Sequence, residues 1–199
     1  MPATTAPVTI ISVADAPWHD VQTVFGTRGD PSSCWCQYFK MDNSEWKTAS
    51  RETCEPLLRQ QVRELDPAPG VLAYLDGEPV GWCAVEPRPA YRRLSRMRVL
   101  SGSPEDPDDA SVWAVTCFVV RVGFRRRGIG TALLGGAIDH ARRGGARVVE
   151  GYPVDPAERQ KVSSAELYHG SVSLFAANGF REVSRPTPDR PVMQLDLSA

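Results

Sequence analysis

Hydrophobic and polar positions along the chain switch several times between a period of two and a period near 3.6, and each switch marks an element. Residues 8–13, Val-Thr-Ile-Ile-Ser-Val, form a β-branched run that predicts a strand. Residues 16–25 predict a helix, with Asp15 as N-cap and Gly26 beyond its end. The loop 28–42 holds an aromatic knot, Cys34-Trp35-Cys36-Gln37-Tyr38-Phe39. A longer helix is predicted from Ser44 to about Leu65, stopped by Asp66-Pro67-Ala68-Pro69-Gly70. Residues 71–75 and 80–86 flank Asp76-Gly77-Glu78-Pro79 and predict a β-hairpin. The Arg- and Asp/Pro-rich segment 87–110 is too long to be a turn.

Residues 111–121 are almost uninterrupted in their apolarity, as expected of a strand covered on both faces. A helical period follows, with Ile129, Leu133, Leu134, Ala137, Ile138 and Ala141 on one face and Gly144-Gly145 at its end. Residues 146–152 predict a strand, 163–177 a helix stopped by Asn178-Gly179, and 180–184 and 191–197 two closing strands. Helices interleaved with a mixed sheet make this an α/β chain.

Composition narrows the reading. A chain of 199 residues with 42% hydrophobic residues suits one domain, 1–199, with a frayed Pro/Ala/Thr-rich segment at 1–7. A net charge of −1 argues against a general nucleic-acid binder. No apolar run reaches membrane-spanning length and no charged-then-apolar leader opens the sequence, so no membrane partner is expected. Five cysteines, an odd number, fit reduced thiols in the cytoplasm. Cys34-x-Cys36 lacks a second pair at zinc-like spacing, and no metal is expected.

The chemistry concentrates where the strand 111–121 leads through an Arg/Gly loop into a helix. Unpaired amides at such a helix start favour an anion, glycines let it approach the backbone, and Arg125, Arg126 and Arg127 add charge. A diphosphate is the ligand this arrangement holds best. A P-loop is excluded because its Lys is missing. A dinucleotide fingerprint fails because Leu133 stands at the third glycine position, although Glu150 lies further on where an acid is expected.

Arg125-x-x-Gly128-x-Gly130 does satisfy the pattern Arg/Gln-x-x-Gly-x-Gly/Ala. With the Asp-Gly-Glu-Pro-Val-Gly hairpin upstream and Leu174-Phe175-Ala176-Ala177-Asn178-Gly179-Phe180 downstream, the chain resembles the GNAT superfamily of acyl-CoA-dependent N-acyltransferases along nearly its whole length. The resemblance implies a mixed, mostly antiparallel sheet of about seven strands, flanked by about four helices and splayed between the fourth and fifth strands. It implies acetyl-CoA or another short acyl-CoA as co-substrate. The pantetheine arm would lie along Phe118, Val119 and Val120, and the pyrophosphate at the amides of Arg126, Arg127, Gly128, Ile129, Gly130 and Thr131, beside Arg125. The reaction implied is direct acyl transfer to a primary amine in a ternary complex. The acceptor, a small molecule, a peptide or a protein lysine, stays open, and homodimers are common among such proteins.

The family's usual acid, a Tyr four residues before the Gly-Phe pair, is replaced here by Phe175. Tyr168, about two helical turns earlier, is the candidate acid, with Ser171 or Ser173 acting through water as alternatives. Glu150, ending a strand beside the expected cleft, is the candidate base, followed by Glu86 at the end of the hairpin. Trp35, Tyr38, Phe39 and Trp46 fall where the first two helices would wall the acceptor pocket. Cys117 reads as a buried inert thiol, and His140 and His169 as residues of helix surfaces. The missing Tyr also leaves room for an acyl-CoA-binding sensor that has lost turnover.

Overall fold

The computed structural model describes residues 7–98, 102–158 and 166–198. Its centre is a seven-stranded sheet in the order β1-β2-β3-β4-β5-β7-β6. The strands are β1 (Thr9–Ser12), β2 (Gly70–Leu75), β3 (Glu78–Pro87), β4 (Val112–Val120), β5 (Val148–Gly151), β6 (Arg181–Thr187) and β7 (Arg190–Asp196). All neighbours run antiparallel except β4 and β5, which are parallel. Parallel pairing demands a long crossover, and α5 (Ile129–Arg143) supplies it.

Alternation along the hairpin decides which layer each side chain enters. Val71, Ala73, Leu75, Cys83 and Val85 face α5, packing with Leu133, Leu134 and Ala137. Leu72, Trp82 and Ala84 face the other layer, built from α1 (Trp18–Phe25), α2 (Pro31–Cys34) and α4 (Arg51–Glu64) through Val21, Phe25, Trp35, Cys54 and Leu58. A third cluster, Phe39, Tyr91, Leu94, Ala114, Tyr152 and Val192, lies at the β5–β7 end of the sheet. No helix among the described residues is long and apolar enough to cross a membrane.

Two predicted helices come out differently. The one expected from Ser44 to Leu65 is split into α3 (Asn43–Lys47) and α4. Each half starts with its own local bonds. Asp42 accepts from the Ser44 and Glu45 amides while Glu45 accepts from the Asp42 amide at 2.7 Å, and the Thr53 hydroxyl accepts from the Ser50 amide at 2.9 Å. The helix expected over 163–177 is only α6 (Val172–Ala177), preceded by a separate 3-10 turn, Glu166–His169. Gly170 separates them with φ +76°, a left-handed conformation that ends helical propagation. Residues 163–165 of that expectation, and 1–6 of the frayed segment, lie outside the described residues.

Candidate active site

The sheet opens where β4 outlasts its parallel partner. Pairing runs from Val112↔Val148 to Val115↔Gly151, whereas β4 continues to Val120. One residue past the last pair, Thr116 is the extra residue of a bulge, because Ala84 faces Cys117 while Val85 faces Val115. The bulge therefore sits at the apex of a V between β4 and β5. Phe175, fully buried, fills the base of that V, its ring edge-on to Phe118 at 6.1 Å and to Phe180 at 4.9 Å.

On the β4 side the residues expected to hold a cofactor converge. Phe118, Val120, Arg125, Gly130, Tyr168 and Leu174 line a cavity of about 210 Å³. Two carbonyls of β4 are reached there by side chains: His169 Nδ1 lies 2.9 Å from Thr116 O, and Arg125 Nε donates to Val120 O at 3.2 Å. By the two-residue alternation of a strand, Phe118 between them turns its backbone polar groups the same way. Val119 points its side chain into the opposite core layer.

Beyond β4 the chain enters a loop in which Gly123 (φ 94°), Arg126 (φ 61°) and Gly128 (φ 76°) are left-handed. Left-handed residues interspersed among others turn successive amides into a concave nest for an anion. Gly128 caps α5, and the first-turn amides of Ile129, Gly130 and Thr131 have no partner inside the helix. Arg125, Arg126 and Arg127 stand exposed around this nest, Arg127 resting over the Phe124 ring at 5.5 Å.

The two candidate carboxylates are placed differently from the sequence expectation. Glu150 is 0% exposed and accepts four hydrogen bonds: Arg88 at 2.9 Å, Tyr152 at 2.7 Å, Ser103 at 2.5 Å and Gln194 at 2.7 Å. Arg88, equally buried, also binds the Asp106 carbonyl, which fastens the 102–110 loop to β5. A carboxylate so saturated offers an amine no lone pair, so Glu150 is a structural anchor. Glu86, 3% exposed, is paired with Lys40 at 2.5 Å, and Lys40 is tied to Gln61 at 2.7 Å. Burial raises the Glu86 pKa despite the opposing pull of Lys40.

The aromatic knot divides. Trp35 is 0% exposed, stacked on Phe25 at 4.6 Å, with its indole N–H donating to Ser32 O at 2.9 Å. It packs the core and does not wall the cleft. Tyr38 is half-buried, edge-on to Phe39 and Trp46 at 5.0 and 5.1 Å, under the Arg93 guanidinium at 4.4 Å. Phe39 reaches the apex, its ring 5.5 Å from that of His169.

The turn Glu166–His169 thus brings two proton-carrying side chains to the open part of β4. Tyr168 lines the cavity beside β4, and burial followed by the Asp30 charge raises its pKa, keeping the phenol protonated. His169 sits at the apex, its pKa lowered to about 4 by burial and then by Arg190, so the ring is neutral. The helical-face argument that linked Tyr168 to position 175 fails, since Gly170 parts them; Tyr168 reaches the cavity by the turn instead. Of the two histidines expected on helix surfaces, His140 is buried, its Nε2 2.8 Å from Ala68 O, and His169 is half-buried at the end of the 3-10 turn. The sequence carried no signal for Arg88, Ser103 or Gln194 as partners of Glu150, because each comes from a different stretch of chain, whereas Tyr152, two residues on, shares its face of the strand.

Several solved structures share this architecture over almost their full length. The yncA protein from Salmonella typhimurium, determined with its cofactor acetyl-CoA, is 16% identical with a TM-score of 0.56, covering 96% of this chain and 94% of that one. A GCN5-related N-acetyltransferase from Kribbella flavida is 20% identical with a TM-score of 0.52, covering 96% and 98%. The GNAT domain of S. lividans PAT is 18% identical with a TM-score of 0.52, covering 96% and 89%. No curated protein matches the chain by sequence. The acetyltransferase (GNAT) family model matches residues 35–161, well over half the chain, from the aromatic knot through the splayed strands and the Arg/Gly loop: the protein belongs to the GNAT acetyltransferase family.

Proposed function

We propose that the protein moves an acetyl or other short acyl group from acetyl-CoA to a primary amine, by direct attack within a ternary complex. The observation that carries this reading is the open β4 edge running past Phe118 into the left-handed Arg126–Gly128 nest and the first turn of α5. An extended pantetheine amide can pair with a strand edge, and a diphosphate fits a nest crowned by a helix start. Phe118, Val119, Val120 and Arg125 to Thr131 are accordingly the proposed cofactor residues. The co-substrate's part is to bring an activated acyl thioester.

Tyr168, protonated and lining the same cavity, is the proposed acid for the departing thiolate. Tyr38 belongs to the proposed acceptor side, and Glu150 and Glu86 hold the walls. A metabolite, an antibiotic, a peptide or a protein lysine can be the acceptor. All five cysteines are free thiols, which fits the proposed cytoplasmic location. A second reading, an acyl-CoA sensor without turnover, is favoured by Phe175, whose ring puts hydrocarbon where a phenol would serve as acid.

Thermal denaturation with acetyl-CoA, CoA or NAD tests the binding half. Ligand at 100-fold over its Kd adds about 2.7 kcal/mol, hence roughly 5–10 °C in Tm for a chain of this size. The expected result is a shift with acetyl-CoA and CoA, absent with NAD, and abolished in Gly128→Val, because a β-branched residue resists φ 76°. Release of free thiol with an amine panel then separates enzyme from sensor.

A further inference from the structure

The two carboxylates that the sequence pattern offered for the amine proton are buried and paired, Glu150 with four donors and Glu86 with Lys40. Three observations converge on one imidazole. First, position: His169 Nδ1 lies 2.9 Å from the carbonyl of Thr116, the bulged residue one step beyond the last β4–β5 pair. An acyl thioester whose pantetheine arm runs along Phe118–Val120 would end at this bulge.

Second, tautomer: a carbonyl oxygen can only accept, so Nδ1 must carry the hydrogen and Nε2 keeps its lone pair. Third, protonation: burial and the Arg190 charge from β7 hold the ring neutral, while the Phe39 ring packs edge-on to it and β4 presents the Thr116 carbonyl. Arg190 is the charged side chain that bears on the imidazole from the elements packed around it.

We propose that His169, through Nε2, takes the proton from the acceptor amine during acyl transfer; the proposal rests on the acyltransferase reading above. The acceptor enters as a neutral amine. Its nitrogen lone pair forms a bond to the thioester carbonyl carbon, and the nitrogen becomes cationic and strongly acidic. His169 Nε2 removes that N–H proton, so a weakly basic imidazole suffices where it would not suffice against a free alkylammonium. The C–S bond then breaks with its electron pair on sulfur, the thiolate is protonated by Tyr168, and an amide and free CoA leave. The His169 proton returns to solvent as Tyr168 is reprotonated, which balances the cycle. The Nδ1–H···O=C bond to Thr116 fixes the ring against the bulge, so base and thioester share one reference point on β4.

The test uses the full chain with acetyl-CoA and a panel of primary amines (an amino-acid amide, a polyamine and an aminoglycoside). His169→Gln and His169→Asn are compared with wild type for CoA affinity and for thiol release. The expected result is CoA binding within about threefold of wild type, kcat/KM lower by about 100-fold or more, and partial rescue of the variants at high pH. Two-dimensional 15N spectra of the imidazole need no acceptor; they should show the Nδ1–H tautomer, neutral from pH 6 to 9. An Nε2–H tautomer, an imidazolium at neutral pH, or variants with unchanged kcat/KM would overturn the assignment. Wild type that binds neither acetyl-CoA nor CoA would remove the acyltransferase reading itself, and this proposal with it.

Discussion

The two arms of the V use polar groups in opposite ways. On the β5 arm, Arg88, Ser103, Tyr152 and Gln194 converge on the buried Glu150 carboxylate and occupy both of its oxygens. On the β4 arm, the Thr116 and Val120 carbonyls each receive one side chain, Nε2 of His169 keeps a lone pair, and the α5 start has open amides. The first arrangement rigidifies a wall. The second leaves donors and acceptors for a ligand to complete. Charge alone is therefore a poor guide to chemistry here, because the buried Arg88–Glu150 pair is engaged by the protein itself.

Breaking the β5 arm should produce the largest effect. Glu150→Ala leaves the Arg88 guanidinium buried without its counter-charge, which costs about 3–5 kcal/mol. Tm should fall by roughly 10 °C, with Glu150→Gln falling less. A Glu150→Gln protein with wild-type Tm and no turnover would reverse the comparison and restore Glu150 to the chemistry.

Acid should probe the β4 arm next. His169, at about 4, and His140, also lowered by burial, stay neutral in the folded state. Unfolded histidine binds a proton near pH 6.5. The folded state is thus at full strength above that pH and loses stability as pH falls from about 6.5 towards about 4. Denaturation scans across this window should show Tm dropping by several degrees, less steeply in His169→Gln.

The smallest effect sharpens the division of labour within the turn Glu166–His169. Tyr168→Phe keeps the ring that lines the cavity and removes only the phenolic proton. Thiol release should slow by about tenfold with CoA affinity unchanged. An equal loss of affinity would make the residue a wall of the cavity only.

Much of this was legible in the chain. Alternation gave the hairpin and the buried β4, the helical period gave α5, and the Arg/Gly spacing marked the left-handed loop that opens α5, since all of these depend on residues close in sequence. Helix ends were harder: Asp42 and Ser50 start separate helices through local bonds that a hydrophobic period does not register.

What the sequence determined by itself was the α/β architecture and the family, because periodicity, glycine geometry and charge act over a few residues. Only the tertiary structure decided which polar side chains are available. Glu150 is silenced by partners that include Arg88 and Gln194, far from it in sequence, and Trp35 is withdrawn into a stack with Phe25. His169 gains its role from a carbonyl 53 residues away. Desolvation and hydrogen-bond saturation are properties of the packed neighbourhood, and no local pattern in the chain encodes them.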